Sequence, residues 1–507
     1  MTMLFFFLSA FLFSLKHSFY EDNHAAHQAT APSMSKARTQ DRPITHGLLA
    51  KHVISTVQDA RYKETTDRII VKYRNKHTLT SINPSLNDVN TLVKKHDLLP
   101  YTINKNSIRK PVQALRATLL GSIVFQLDHF YSVHELKKLT TQLTNLDKNI
   151  EYAEPDTIKT TTQDRVENPS YFSYLPWSFD RHNSDNGINI IDAWHFATGK
   201  QITVAVLDTG YLPHPDLLPN IVGGYTMNED RGPDAIDPGN WSTQGECGAD
   251  SLGQDSSWHG THVAGTIAAL PNETAGASGI AYDAKILPVR VLGKCGGYDS
   301  DIIDGMIWAA NAHSPSATLP INTHPARVIN MSLGSIGHCT LSYQEAIAKI
   351  RSKGTVIVAS AGNNNQHASN HTPSNCAGVI SVAAYNPWFG TREDSSNYGE
   401  GVTIAAPGRR VLSTHNDGKT KAAHYIYSEK DGTSMAAPHV SGVVALMLSI
   451  NPFLTPDQVT QLLANTARPF GAGKCDEGCG AGMLDAGAAV RAAYSIAIHG
   501  NTVASSD

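Results

Sequence analysis

The sequence predicts an α/β fold: a mostly parallel central sheet with helices on both faces, preceded by a small α+β domain. Two observations carry this. From residue 202 onward, short and nearly continuous apolar runs alternate with helical stretches, the rhythm of strands covered on both faces. Before residue 160 a shorter pattern of strands and helices stands apart, followed by a polar stretch at 157–168 that reads as a linker. The 507 residues suffice for two to four domains, and 41% hydrophobic content is too high for a disordered chain.

The smaller domain begins with a strand at 68–73 (RIIVKY) and a helix at 85–96. A strand at 121–127 (GSIVFQL), a helix at 132–145 and a closing strand at 150–153 complete it. In the larger domain the strands are expected at 202–207, 285–292, 327–332, 355–360, 379–384 and 402–405. Helices are expected at 259–270, 300–312, 342–353, 434–450 and 455–466. The last opens T-P-D-Q, with Thr455 as cap, Pro456 at the first helical position and Gln458 completing a capping box. In such a sheet, functional sites gather at the carboxyl ends of strands.

The net charge of −4 conceals a division. Residues 1–160 hold 21 Lys and Arg against 14 Asp and Glu, whereas residues 161–507 hold 20 against 31. A basic part and an acidic part fit two complementary faces of one complex, or two unrelated solvated surfaces. The acidic majority argues against nucleic acid as a partner. Residues 3–15 (MLFFFLSAFLFSL) have the length of a secretory signal, with a short membrane anchor as the competing reading. All six cysteines (Cys247, Cys295, Cys339, Cys376, Cys475, Cys479) lie in the acidic part. They fit three disulfides in an oxidising compartment, or six buried thiols in a reducing one. The chain thus divides into a signal at 1–20, a polar spacer at 21–65, the small domain at 66–160 and the large domain at 168–498.

Three segments place reactive residues at element ends. Asp208 follows the strand in VAVLDTG, His259 opens the helix in WHGTHVAG, and Ser434 opens the long helix in DGTSMAAPHVSG. A serine hydroxyl becomes a competent nucleophile when an imidazole takes its proton, and the imidazole needs a carboxylate to fix its tautomer. Each residue alone would be an ordinary cap; together, with their flanking glycines, they point to nucleophilic catalysis. The order Asp, His, Ser and the lack of G-x-S-x-G at Ser434 count against an α/β-hydrolase.

Over about residues 168–496 these segments closely resemble the subtilases, the subtilisin-like serine proteases. The resemblance implies Asp208 as orienting acid, His259 as general base and Ser434 as nucleophile. It implies Asn363, in VIVASAGNNN, as the oxyanion donor. It also implies that Ser332, Leu333, Gly334, Ala361 and Gly362 line the substrate cleft, where an extended peptide pairs with backbone groups. The segment 370–376 (NHTPSNC) matches the region of the main specificity pocket, but a surface loop is the expected form for His371. No acid stands where it would select basic residues, so broad specificity is expected. Residues 66–157, ending IEYAEPD, resemble the subtilase propeptide, which implies an intramolecular inhibitor removed by autoproteolysis between about Thr157 and Tyr171.

By resemblance to secreted bacterial subtilases the cysteines pair as Cys247–Cys295, Cys339–Cys376 and Cys475–Cys479. The chemistry requires no cofactor. Structural calcium or mere solvation suits the acidic insertion at 228–256 (Glu229, Asp230, Asp234, Asp237, Asp250, Asp255) equally. His262 and His439 are expected to be structural rather than metal ligands. The expected protein is a secreted, monomeric endopeptidase acting on polypeptides, free of membrane once mature. A narrow-specificity processing enzyme and an inactive subtilase that binds without cleaving are the alternatives.

Overall fold

The computed structural model describes residues 65–74, 89, 91, 93, 112–162, 165–167, 186–248, 250–271, 277–313 and 319–500, all within one compact unit that begins at Thr56. The expected signal and spacer lie outside the described residues, as does most of the expected helix at 85–96.

The small domain is an antiparallel sheet of β1 (Thr65–Tyr73), β2 (Gln113–Ala117), β3 (Ile123–Ser132) and β4 (Ile150–Pro155), in the order β2-β3-β1-β4. A helix, α1 (Val133–Leu146), packs against it, opened by a capping box between Ser132 and Glu135. Its Leu136, Leu139 and Leu143 meet Ile69, Val71 and Phe125 from the sheet in a separate core.

The chain continues through β5 (Ile158–Thr161), β6 (Arg165–Glu167), the short α2 (Ile190–Trp194), β7 (Thr203–Asp208) and β8 (Tyr225–Thr226). Then come α3 (His259–Ala268), β9 (Lys285–Arg290), β10 (Gly297–Tyr298), α4 (Asp299–Ala309), β11 (Val328–Met331) and β12 (Leu333–Ile336). Next are α5 (Leu341–Ser352), β13 (Val356–Ser360), β14 (His371–Thr372), β15 (Ile380–Asn386), β16 (Thr391–Arg392) and β17 (Ile404–Pro407). The hairpin β18 (Val411–Asn416) and β19 (Tyr425–Asp431) precedes α6 (Thr433–Ile450), α7 (Pro456–Thr466) and α8 (Ala486–His499).

The central sheet runs β16-β15-β13-β11-β7-β9-β8, with β17 also paired to β15; apart from β16 every pairing is parallel. Alternate residues of its middle strands enter different cores. Val204 and Val206 join the cluster built on α3, α6 and α8, while Ala205 and Leu207 join the one built on α4 and α5. Burial on both faces explains why these strands read as unbroken apolar runs.

The expected linker is structured instead. β5 inserts between β10 and β12 in an antiparallel sheet β10-β5-β12-β14, and β6 pairs with β19 beyond β18. A polar segment can do this because the bonding is backbone to backbone, which hydropathy does not register.

The small domain sits on the first turns of α4 and α5. Glu154 accepts from the N–H groups of Leu341 and Ser342, and Asp156 accepts from the N–H and hydroxyl of Ser300, so two carboxylates complement two helix N-termini. Burial pushes both carboxyls up to about 7, with Asp299 adding repulsion. The charge division becomes contact here. Arg68 pairs with Glu229, Lys72 with Glu345, Arg116 with Asp301 and Asp304, and Lys159 with Asp299, each cation from the N-terminal part.

Candidate active site

Parallel β7, β11 and β13 end along one edge, and the residues singled out above converge there. Asp208 is the last residue of β7 and His259 the first of α3; both are fully buried. His259 Nδ1 lies 2.8 and 2.9 Å from the two carboxylate oxygens of Asp208, which fits donation of its proton to the acid. His259 Nε2 is buried with no hydrogen-bond partner among the described residues.

Ser434 is the second residue of α6, where its N–H is free of the helix ladder and points outward. Gly432 lets the chain enter this helix. Its φ is +125°, and a Cβ there would come within 2.7 Å of both Asn363 Nδ2 and Thr162 O. The Ser434 hydroxyl donates to Ser332 O at 3.0 Å, accepts from Thr162 N–H at 3.1 Å and touches Thr162 Oγ1 at 2.5 Å.

Asn363 follows β13 and Gly362. Its Oδ1 accepts from the Thr433 N–H and hydroxyl, which turns Nδ2 toward Thr162 O. The same carbonyl accepts from Ser434 N–H at 3.3 Å. Thr162 O is therefore held by two donors directly beside a serine hydroxyl.

The segment before Thr162 lies in register. Thr160 and Thr161 pair with Gly334 and Leu333, and Thr162 N–H reaches Ser332 O at 3.5 Å. Ala361 and Gly362 make no such pairing: Ala361 bonds to Val382 O and to the Asn397 amide, and Gly362 N–H to the Thr433 hydroxyl. On the other side of Thr162, residues 165–167 run antiparallel to Asp431, Lys430 and Glu429.

A profile of the subtilase family matches residues 199–482, a range that holds Asp208, His259, Asn363 and Ser434. This chain belongs to the subtilase family. The subtilase is 44% identical over 394 residues to an extracellular protease of Xanthomonas campestris pv. campestris, covering 76% of this chain and 66% of that one. It is 40% identical over 401 residues to an extracellular basic protease of Dichelobacter nodosus, covering 75% of this chain and 64% of the relative. It thus spans just under two thirds of the length of either. Among solved structures, a protease of Pseudoalteromonas arctica matches with a TM-score of 0.60 and 47% identity, over 62% of this chain and 96% of that one.

Behind the Asp208–His259 pair this subtilase carries a buried polar layer in which the sequence had pointed to Asp237 and His262 but not to Lys430. Lys430 is 1% exposed and donates to Ser257 O; burial pushes its amine down to about 7, against the pull of Asp208 and Asp237. Asp237 accepts from the Thr209 hydroxyl and is raised to about 6 by burial. Burial also keeps His262 well below its ordinary range, its Nε2 3.0 Å from Val411 O and from Ser428 O, as suits a structural histidine. His439 is likewise buried, lowered to about 4, with Nδ1 against Met435 O.

His371 departs from expectation: it is 1% exposed and lies in β14, not in a surface loop. Its ring fills the space over Gly334 and Gly362, where a Cβ would come within 2.2 and 2.5 Å of it. Two glycines leave room for an imidazole that desolvation holds neutral, lowered to about 3.

The cysteines form Cys247–Cys295, Cys339–Cys376 and Cys475–Cys479. The first ties the acidic insertion to the segment before β10. Several acids of that insertion have separate partners. Glu229 and Asp230 pair with Arg68 and Arg290, Asp255 pairs with Lys419, and among the described residues no group of three or more metal-ligating side chains forms.

Proposed function

We propose that this protein is a secreted serine endopeptidase, made as a zymogen and matured by its own cut between Thr162 and Gln163. In this reading Ser434 attacks the carbonyl of the residue before the bond, and His259 Nε2 takes its proton. Asp208 holds the imidazole tautomer and stabilises the imidazolium. Asn363 Nδ2 and Ser434 N–H receive the charge that develops on the carbonyl oxygen. The acyl-enzyme forms as the imidazolium protonates the leaving amine, and water then hydrolyses the ester with His259 again as base. In this reading the Ser434 hydroxyl, which donates to Ser332 O in the structure, turns to the unpartnered His259 Nε2 for the attack.

The single observation that carries the reading is Thr162 O, which receives both oxyanion donors while Ser434 Oγ lies against the same residue. The preceding strand is bound as a substrate would be, which supports residues 66–160 as an intramolecular inhibitor that blocks the cleft before release. Export is supported by three disulfides and by relatives named as extracellular. The mature enzyme is read as a monomer free of membrane. Ser434→Ala tests the core of this: the variant should stay full length and leave casein intact, whereas processed, casein-degrading Ser434→Ala protein would refute the assignment.

A further inference from the structure

Counting back from the proposed cut, Lys159 is the fourth residue before it. Its side chain is fully buried although it carries an ammonium group. Lys159 Nζ lies 2.9 and 3.0 Å from the two carboxylate oxygens of Asp299 and 2.7 Å from Thr157 Oγ1. Asp299 is itself 1% exposed and opens α4; it also accepts from the Tyr343 hydroxyl at 2.9 Å and the Thr157 hydroxyl at 2.5 Å. The Tyr343 ring stands 6.0 Å from Nζ. Backbone pairing sets this register, with Lys159 opposite Gly297 and Asp299 N–H on Thr157 O.

The owners of these groups differ. Asp299 and Tyr343 belong to the domain that remains after maturation, whereas Lys159 and Thr157 belong to the segment that leaves. Departure removes the cation and one hydroxyl but keeps the carboxylate, while Asp301 and Asp304 of the same helix retain Arg231 as their partner. An apolar side chain seated there would bury a carboxylate without its counter-charge, and an acidic one would add repulsion.

We propose that Asp299 makes this a pocket for a basic side chain, so that the enzyme prefers lysine or arginine four residues before the bond it cuts. The inference rests on the endopeptidase reading above. It restricts the expected broad specificity: breadth belongs to the residue next to the bond, and selection acts three residues further back.

The test uses the matured wild-type enzyme and quenched-fluorescence peptides copying residues 157–165 (TIKTTTQDR), with Lys, Arg, Leu, Ala or Glu in place of the lysine. The lysine peptide should exceed the leucine and alanine peptides by at least about tenfold in kcat/KM, with glutamate the poorest. In Asp299→Asn enzyme the lysine-to-leucine ratio should collapse toward one. Equal wild-type rates on lysine and leucine peptides, with casein still hydrolysed, would overturn this inference alone; so would a lysine preference that survives in Asp299→Asn. If neither casein nor any peptide is cut, the endopeptidase reading falls and takes this one with it. Should Asp299→Asn fail to mature, the wild-type series decides.

Discussion

Two buried aspartates are paired with bases in this molecule, and the two pairs differ in one respect. Asp208 and His259 both belong to the large domain, at the ends of adjacent elements, and neither can leave the other. Asp299 is equally buried, but its partner Lys159 comes from a segment 140 residues earlier that the proposed maturation removes. A permanent pair can hold a geometry for catalysis. An exchangeable pair leaves behind an unsatisfied charge, and that is a means of choosing what binds next. In the proposed reading the arrangement separates chemistry from selection: one carboxylate acts through an imidazole at the bond, the other reads a side chain distant from it.

Perturbing each pair should therefore give different signatures. Asp208→Asn should lower kcat by about 10⁴-fold on every peptide alike, because the imidazole loses its tautomer whatever the substrate. A loss that depended on the residue four places before the bond would merge the two roles. Asn363→Ala should cost on the order of 100- to 1,000-fold in kcat with KM little changed, since its amide donates to charge present in the transition state. A KM effect of that size would instead make Asn363 a binding residue.

The smallest effect concerns the small domain, which the proposal makes a docked propeptide. Glu154 and Asp156 are raised to about 7 in the complex by burial, with Asp299 facing both and Asp301 also facing Asp156. Freed into water they return to the ordinary carboxylate range, so the complex holds more protons than its separated parts. Docking is then favoured at low pH and weakens as pH rises toward about 7, levelling off above. Inhibition of the mature enzyme by added propeptide should be at least about tenfold weaker at pH 8 than at pH 5. Tighter inhibition at pH 8 would contradict this sign.

Much of the site was legible along the chain because its residues occur in short, dense segments. The runs around Asp208, His259, Asn363 and Ser434 each combine a strand or helix end with glycines, and the sheet edge that gathers them follows from alternating buried runs. The structural roles of His262 and His439 were legible too, since both lie inside apolar helices that bury them. The part that stayed hidden depends on register between distant segments. Nothing in KTTTQD marks Thr162 as the residue whose carbonyl meets Asn363; only the pairing of Thr160 and Thr161 with Gly334 and Leu333 selects it from the 157–171 interval. Asp299 is one acid in an acidic helix start until Lys159 is set against it. His371 was misplaced because its polarity suggests a loop, whereas two glycines make space for it inside. The Ala-rich α8 and the β18–β19 hairpin also escaped notice: the one has no clear polar face, and the other binds mainly through its backbone.

The position of the cut tests the account most directly. Mass spectrometry of the first fragments released by freshly folded wild-type precursor, beside Ser434→Ala precursor, would locate it. Wild-type precursor should give one fragment ending at Thr162 and its complement beginning at Gln163, and the variant neither. A first cut at any other bond, or the same cut in Ser434→Ala, would contradict it.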